Sequence, residues 1–133
     1  MKTKWIARLL LFGMVLTAAP VFAHHGRAAY DMTKLTTVKG LVTEFSWANP
    51  HSIISMDVKN DKGVVEHWVV EAEPPTTLSR CGWTTNGSRS GLLVNVGDQI
   101  TAMGNRVKTG QNIMYLAKIV MANGKELTDV CKR

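Results

Sequence analysis

The stretch "TTVKGLVTEFSWANPH", residues 36–51, is dense in β-branched and aromatic side chains and ends on an Asn-Pro turn signal. It is too regular for a loop and lacks the 3.6-residue apolar period of a helix, so Thr36–Trp47 is predicted to be one long strand. Gly40 lies inside it, and a glycine within a strand often marks a bulge or sharp bend. After the turn the residues alternate. Ser52, Ile54, Met56 and Val58 fall on one face, and His51, Ile53, Ser55 and Asp57 on the other. Asn60-Asp61-Lys62-Gly63 supplies a hairpin loop, and Val64–Glu73, with its apolar "HWVV" centre, supplies a third strand.

Working outward, Pro74-Pro75 stops that strand, since proline cannot donate to a ladder. The following "PPTTLSRCGW" suits a helix of two turns, with proline at its start and Gly82 at its end. Residues 84–97 are rich in Gly, Ser, Thr and Asn and read as a long loop. Asp98–Gly104 is a fourth strand, "NRVKTGQN" a polar hairpin loop and Ile113–Met121 a fifth strand. Asn123-Gly124 turns the chain back, so Lys125–Val130 is a short sixth strand. Three strands, a short helix and two or three more strands predict an all-β fold, a small OB-like Greek-key β-barrel, with an open sandwich or meander as the alternative. There is no internal repeat, heptad pattern or low-complexity tract.

The first twenty-three residues differ from the rest. Lys2, Lys4 and Arg8 precede an apolar run from Leu9 to Ala19, and Val21 and Ala23 stand where signal cleavage requires small or aliphatic side chains. The run is shorter than the roughly 20 residues of a membrane span. The expected layout is a signal peptide at 1–23, an N-terminal segment at 24–35 and the barrel domain at 36–133. The expected location is the periplasm, free of the membrane after cleavage. The full chain has 16 basic and 10 acidic residues, but three basic residues leave with the leader. The surplus falls from 6 to 3 and is not clustered, so nucleic acid is not an expected partner. Cys81 and Cys131 are the two cysteines, and in an oxidising compartment they are expected to pair. Without a CxxC or CxxCH there is no signal for thioredoxin-type chemistry or c-type haem.

Four histidines offer metal ligands: His24, His25, His51 and His67. Cleavage after Ala23 gives His24 a free α-amine beside its imidazole, and the two chelate one ion. A further imidazole completes a T-shaped set of three nitrogens, which suits copper. His51, just after the Asn-Pro turn, is the preferred third donor, with His25 as the substitute. Zinc is less favoured, because no acidic or Cys ligand stands at zinc-motif spacing. Trp47, Trp68, Trp83 and Tyr115 could stack a flat ligand, but aromatics more often fill small cores. Arg106 and Lys108, in the loop between strands four and five, could meet an anion. Trp47, Arg106 and Lys108 thus form the candidate ligand face. Glu71 and Glu73, two apart on a strand, share a face but have no nucleophile beside them. No Gly-x-Ser-x-Gly elbow or phosphate loop is present.

"HHGRAAYD" (24–31), "TVKGLVTEFSWANPH" (37–51), "LSRCGW" (78–83) and "VGDQITAMG" (96–104) together resemble the DUF6152 family of small bacterial proteins. The resemblance implies an exported, compact β domain and no particular activity. Cys81 and the long 84–97 loop depart from the family pattern. The expected function is an exported, non-enzymatic binding module holding copper through His24 and His51. The alternative is a metal-independent OB-type domain that binds a periplasmic protein or small ligand. An enzyme built on a copper brace ranks last, since ligands alone do not name a reaction.

Overall fold

The computed structural model describes residues 26–83 and 94–131. The predicted leader at 1–23, His24, His25 and part of the predicted 84–97 loop lie outside the described residues. A 3-10 turn, Arg27–Ala29, leads into β1 (Tyr30–Ser46). Then follow β2 (Ser52–Lys59), β3 (Val65–Ala72), a short helix α1 (Pro75–Arg80), β4 (Gln99–Val107), β5 (Ile113–Met121) and β6 (Glu126–Thr128). The sheet order is β3-β2-β1-β4-β5-β6 with antiparallel neighbours, and a parallel pairing of β3 with β5 closes strands β1 to β5 into a ring. The fold is therefore mostly antiparallel β with one short helix between β3 and β4, as the strand signals predicted. Among the described residues no helix is long and apolar enough to cross a membrane.

The ring is filled by one face of each strand. Ser52, Ile54, Met56 and Val58 of β2 are all buried, which is the alternation read from the sequence. Trp68, Val70 and Ala72 from β3, Ile100 and Ala102 from β4, and Met114, Leu116 and Ile119 from β5 meet them. Leu78 of α1, Trp83, Val94 and Leu127 complete the same cluster. Each large apolar side chain so enclosed contributes roughly 1.5–3 kcal/mol through loss of water contact. The Trp83 indole donates to the Thr128 carbonyl at 2.9 Å, so its one polar atom is satisfied inside the core. Cys81 and Cys131 form a disulfide with Cα atoms 5.0 Å apart, fixing the C-terminal tail beside Trp83.

Two strands run beyond their predicted ends. β1 begins at Tyr30, six residues before Thr36, and β4 continues through Asn105, Arg106 and Val107 instead of yielding to the loop at Gly104. Each extension is the other's partner, since Tyr30 pairs with Val107 and Leu35 with Asn105. A register shift separates these two pairs, and Asn105 Nδ2 bridges it by donating to the carbonyls of Asp31 (2.9 Å) and Lys34 (3.0 Å). The polar "YDMTK" has no apolar period, so only the partner strand makes it extended. Gly40 also differs from expectation. It pairs with both Val58 and Ile100, where β1 passes from β4 to β2, and the bulge lies further on, between Val42 and Glu44. A Cβ on Gly40 would overlap the Asp57 carbonyl oxygen, so its role is close backbone approach.

Candidate functional site

Strand alternation places Glu71 and Glu73 opposite to the buried Val70 and Ala72 at the C-terminal end of β3. The parallel seam sets Tyr115 of β5 against Glu71, and the start of β1 brings Tyr30 alongside. Each glutamate takes one phenol. The Tyr30 hydroxyl donates to Glu71 Oε2, and the Tyr115 hydroxyl donates to Glu73 Oε1. The two rings meet edge to face, with centroids 5.5 Å apart and planes at 62°. Arg27, from the 3-10 turn, donates to Glu73 Oε1 at 2.9 Å and lies over the Tyr115 ring, 5.1 Å from its centroid. His51 enters from the turn before β2, with Nε2 3.5 Å from Glu71 Oε1. The Glu73 backbone N–H donates to Asp129 Oδ1 at 2.7 Å, which adds the segment just after β6.

Burial and neighbours set the protonation of this cluster. Burial works against the Glu73 carboxylate, but hydrogen bonds from Tyr115 and Arg27 outweigh it and hold Glu73 below its ordinary range. Burial, then hydrogen bonding to the glutamates, pushes both tyrosines above the ordinary phenol range, so they act as O–H donors. Asp129 is pushed up to about 6, chiefly by burial. Nearby Glu73 adds to the rise, while its own N–H, Arg27 and His51 oppose it. Asp129 is 1% exposed, and its Oδ2 is buried without a hydrogen-bond partner.

A carboxyl group that is harder to ionise folded than unfolded makes the fold less stable as pH rises. The folded protein keeps the proton between the ordinary aspartate value of 3.8 and about 6. Stability is therefore lost as pH climbs through that window, by about 3 kcal/mol. Asp129→Asn keeps the Oδ1 acceptor and removes the charge. It is expected to raise the melting temperature by several degrees at pH 7–8 and to give no gain at pH 4. Thermal melts of both proteins across pH 4–8 check this. A gain that is equal at every pH would contradict it.

The predicted site residues separate on this geometry. His51 and the Glu71/Glu73 pair come together, and Tyr115 joins them. His67 is apart and exposed, paired through Nδ1 with Asp57. Trp47 packs edge-on against Phe45 at 5.7 Å and lies against the core. Trp68 and Trp83 are buried. Arg106, expected in a loop, stands in β4. It binds the hairpin through Gln111 O (2.8 Å), Gly110 O (2.6 Å) and Asn112 Oδ1 (2.6 Å), and lies 4.9 Å over Trp68. Lys108 donates to Ala28 O at 2.9 Å. Both line a groove with Asp31, Lys34 and Thr36, but their donors serve the chain itself. Sequence reading missed Arg27, Tyr30 and Asp129 as site members. The "HHGRAAYD" stretch held the signal for the first two, because it joins a cation and a phenol directly to the paired histidines.

Among the described residues no three His, Cys, Asp or Glu side chains are grouped to hold a metal ion. His51 and Glu71 offer two donor atoms, and further donors must come from elsewhere in the chain or from solvent. The chain matches no curated protein. Residues 13–114, most of its length, match the family of unknown function DUF6152, and the protein belongs to that family.

Proposed function

We propose that this protein is an exported, non-enzymatic binding module that holds one Cu(II) ion. The donors are the α-amine and imidazole of His24, freed by cleavage after Ala23, and the imidazole of His51. One observation carries the proposal. Arg27 on Glu73 and Tyr30 on Glu71 fasten the start of β1 to the two glutamates beside His51. Arg27 stands only three positions after His24, a reach of at most about 10 Å. Holding the chain there raises the effective concentration of the amine at His51. Amine and imidazole nitrogens in a tetragonal set favour copper among the divalent metals. The leader-like N-terminus and the Cys81–Cys131 disulfide support a periplasmic location.

The test is Cu(II) titration of exported protein whose mature N-terminus has been verified by intact mass. One equivalent is expected to bind tightly. Affinity is expected to fall at least tenfold in His51→Ala and in protein that keeps a methionine before His24. Equal binding by all three would refute the proposal. A second reading is a metal-independent module for a small ligand or partner protein. It is favoured by a cleft of about 210 Å³ whose lining includes Arg27, Met32, Asn105, Tyr115, Asp129 and Val130. That reading requires a ligand whose binding survives chelator treatment and the methionine extension.

A further inference from the structure

We infer that Glu71 is a metal ligand, donating Oε1 to the ion that His51 holds. This rests on the copper proposal above and adds an oxygen donor that the three-nitrogen set does not contain. Glu71 Oε1 and His51 Nε2 are 3.5 Å apart. Donors about 2 Å from one ion occupy adjacent square corners when they are roughly 2.9 Å apart. The pair needs to close by only about 0.6 Å, within the travel of a carboxylate on a half-buried side chain.

The second glutamate oxygen is already occupied. Tyr30 donates to Oε2, which turns Oε1 toward the histidine and leaves it free of the phenol. A ligating carboxylate is commonly held in this way by a hydrogen-bond donor behind it. Glu73 is differently committed, because one of its oxygens takes both Arg27 and Tyr115. Tyr30 is thus a positioning residue and Glu71 the donor.

Charge points the same way. Among the described residues the cluster sets Glu71 and Glu73 beside one guanidinium, that of Arg27, and Arg27 pairs with Glu73. Glu71 has no Lys or Arg partner there, so a divalent ion shared with His51 would supply the missing positive charge.

The experiment compares Cu(II) binding and the visible and EPR spectra of four exported, processed proteins: wild type, Glu71→Gln, Tyr30→Phe and His51→Ala. The methionine-extended form is measured beside them. Far-UV circular dichroism and melting confirm that each is folded. Glu71→Gln is expected to weaken copper at least tenfold and to shift the spectra by loss of an oxygen donor. Tyr30→Phe keeps the carboxylate and is expected to weaken copper only a few-fold with the oxygen signature retained. Unchanged affinity and spectra in Glu71→Gln, alongside loss in His51→Ala and the extended form, would overturn the Glu71 assignment and leave the three-nitrogen site standing. Undiminished binding by the extended form, with Glu71→Gln still weakened, would overturn the amine site and sustain Glu71. Should Glu71→Gln fail to fold, a wild-type oxygen signature carried over into Tyr30→Phe supports the assignment. A wild-type spectrum with nitrogen donors alone overturns it.

Discussion

Gly104→Ala is expected to destabilise the protein by about 3 kcal/mol or more, the upper end of what overpacking costs. A Cβ at this position would overlap the carbonyl oxygen of Tyr115 on the neighbouring strand. That obstacle is backbone held in a ladder, so no rotamer change relieves it. The register of β4 against β5 shifts between Met103 and Gly104, which places the glycine at the irregular step of this pairing. Relief requires β5 to move away at Tyr115, the residue that also forms the ring-closing seam and donates to Glu73. Urea unfolding of the variant checks the loss. A change below about 0.5 kcal/mol would show that close approach of the Tyr115 carbonyl does not require glycine at this position.

Removal of the disulfide is expected to cost about 4 kcal/mol. The bridge spans 50 residues, and closing a loop of that length in the unfolded chain gives this value in the entropic account. It is a large fraction of the 5–15 kcal/mol that holds a typical domain. The Cys81→Ser/Cys131→Ser double variant avoids mispairing of one remaining thiol. Its denaturation midpoint, compared with that of the oxidised protein, gives the difference directly. A second effect is expected at the site. Asp129 lies two residues before Cys131 and accepts the Glu73 N–H, so loosening the tail removes that acceptor from behind Glu73. On the copper proposal, Cu(II) affinity of the double variant is therefore expected to fall under conditions where it is still folded.

Much of the fold was legible because it rests on local alternation. β2 could be assigned residue by residue, since every second side chain from Ser52 to Val58 is buried. α1 was marked at both ends, by the prolines and by Gly82. The disulfide was expected from two cysteines in a chain whose N-terminus reads like a leader. The first part of β1 was not legible. Tyr30–Leu35 carries exposed polar residues on both sides, and only pairing with Asn105–Val107 makes it a strand. The same limit hid half of the site. Glu71 and Glu73 could be placed on one face from their spacing alone. That Arg27, Tyr30 and Asp129 converge on them depends on ring closure and on the tail, over separations of 41 to 56 residues for Tyr30–Glu71, Arg27–Glu73 and Glu73–Asp129.

The parallel seam has a kinetic consequence. It comprises three residue pairs, from Val69 with Ile113 to Glu71 with Tyr115, joining positions 44 apart in sequence. The β2–β3 and β4–β5 hairpins form from near neighbours, whereas the seam must wait for a long loop to close. It is therefore expected to be among the last contacts made and the first to open. The Val69 amide, which donates to Asn112 O at 2.9 Å, is a reporter of that opening by hydrogen exchange. Because Glu71 and Tyr115 form one end of the seam, the site is assembled only when the ring is shut. A ligand bridging His51 and Glu71 would act as a latch, slowing exchange at Val69 more than at the hairpin amides.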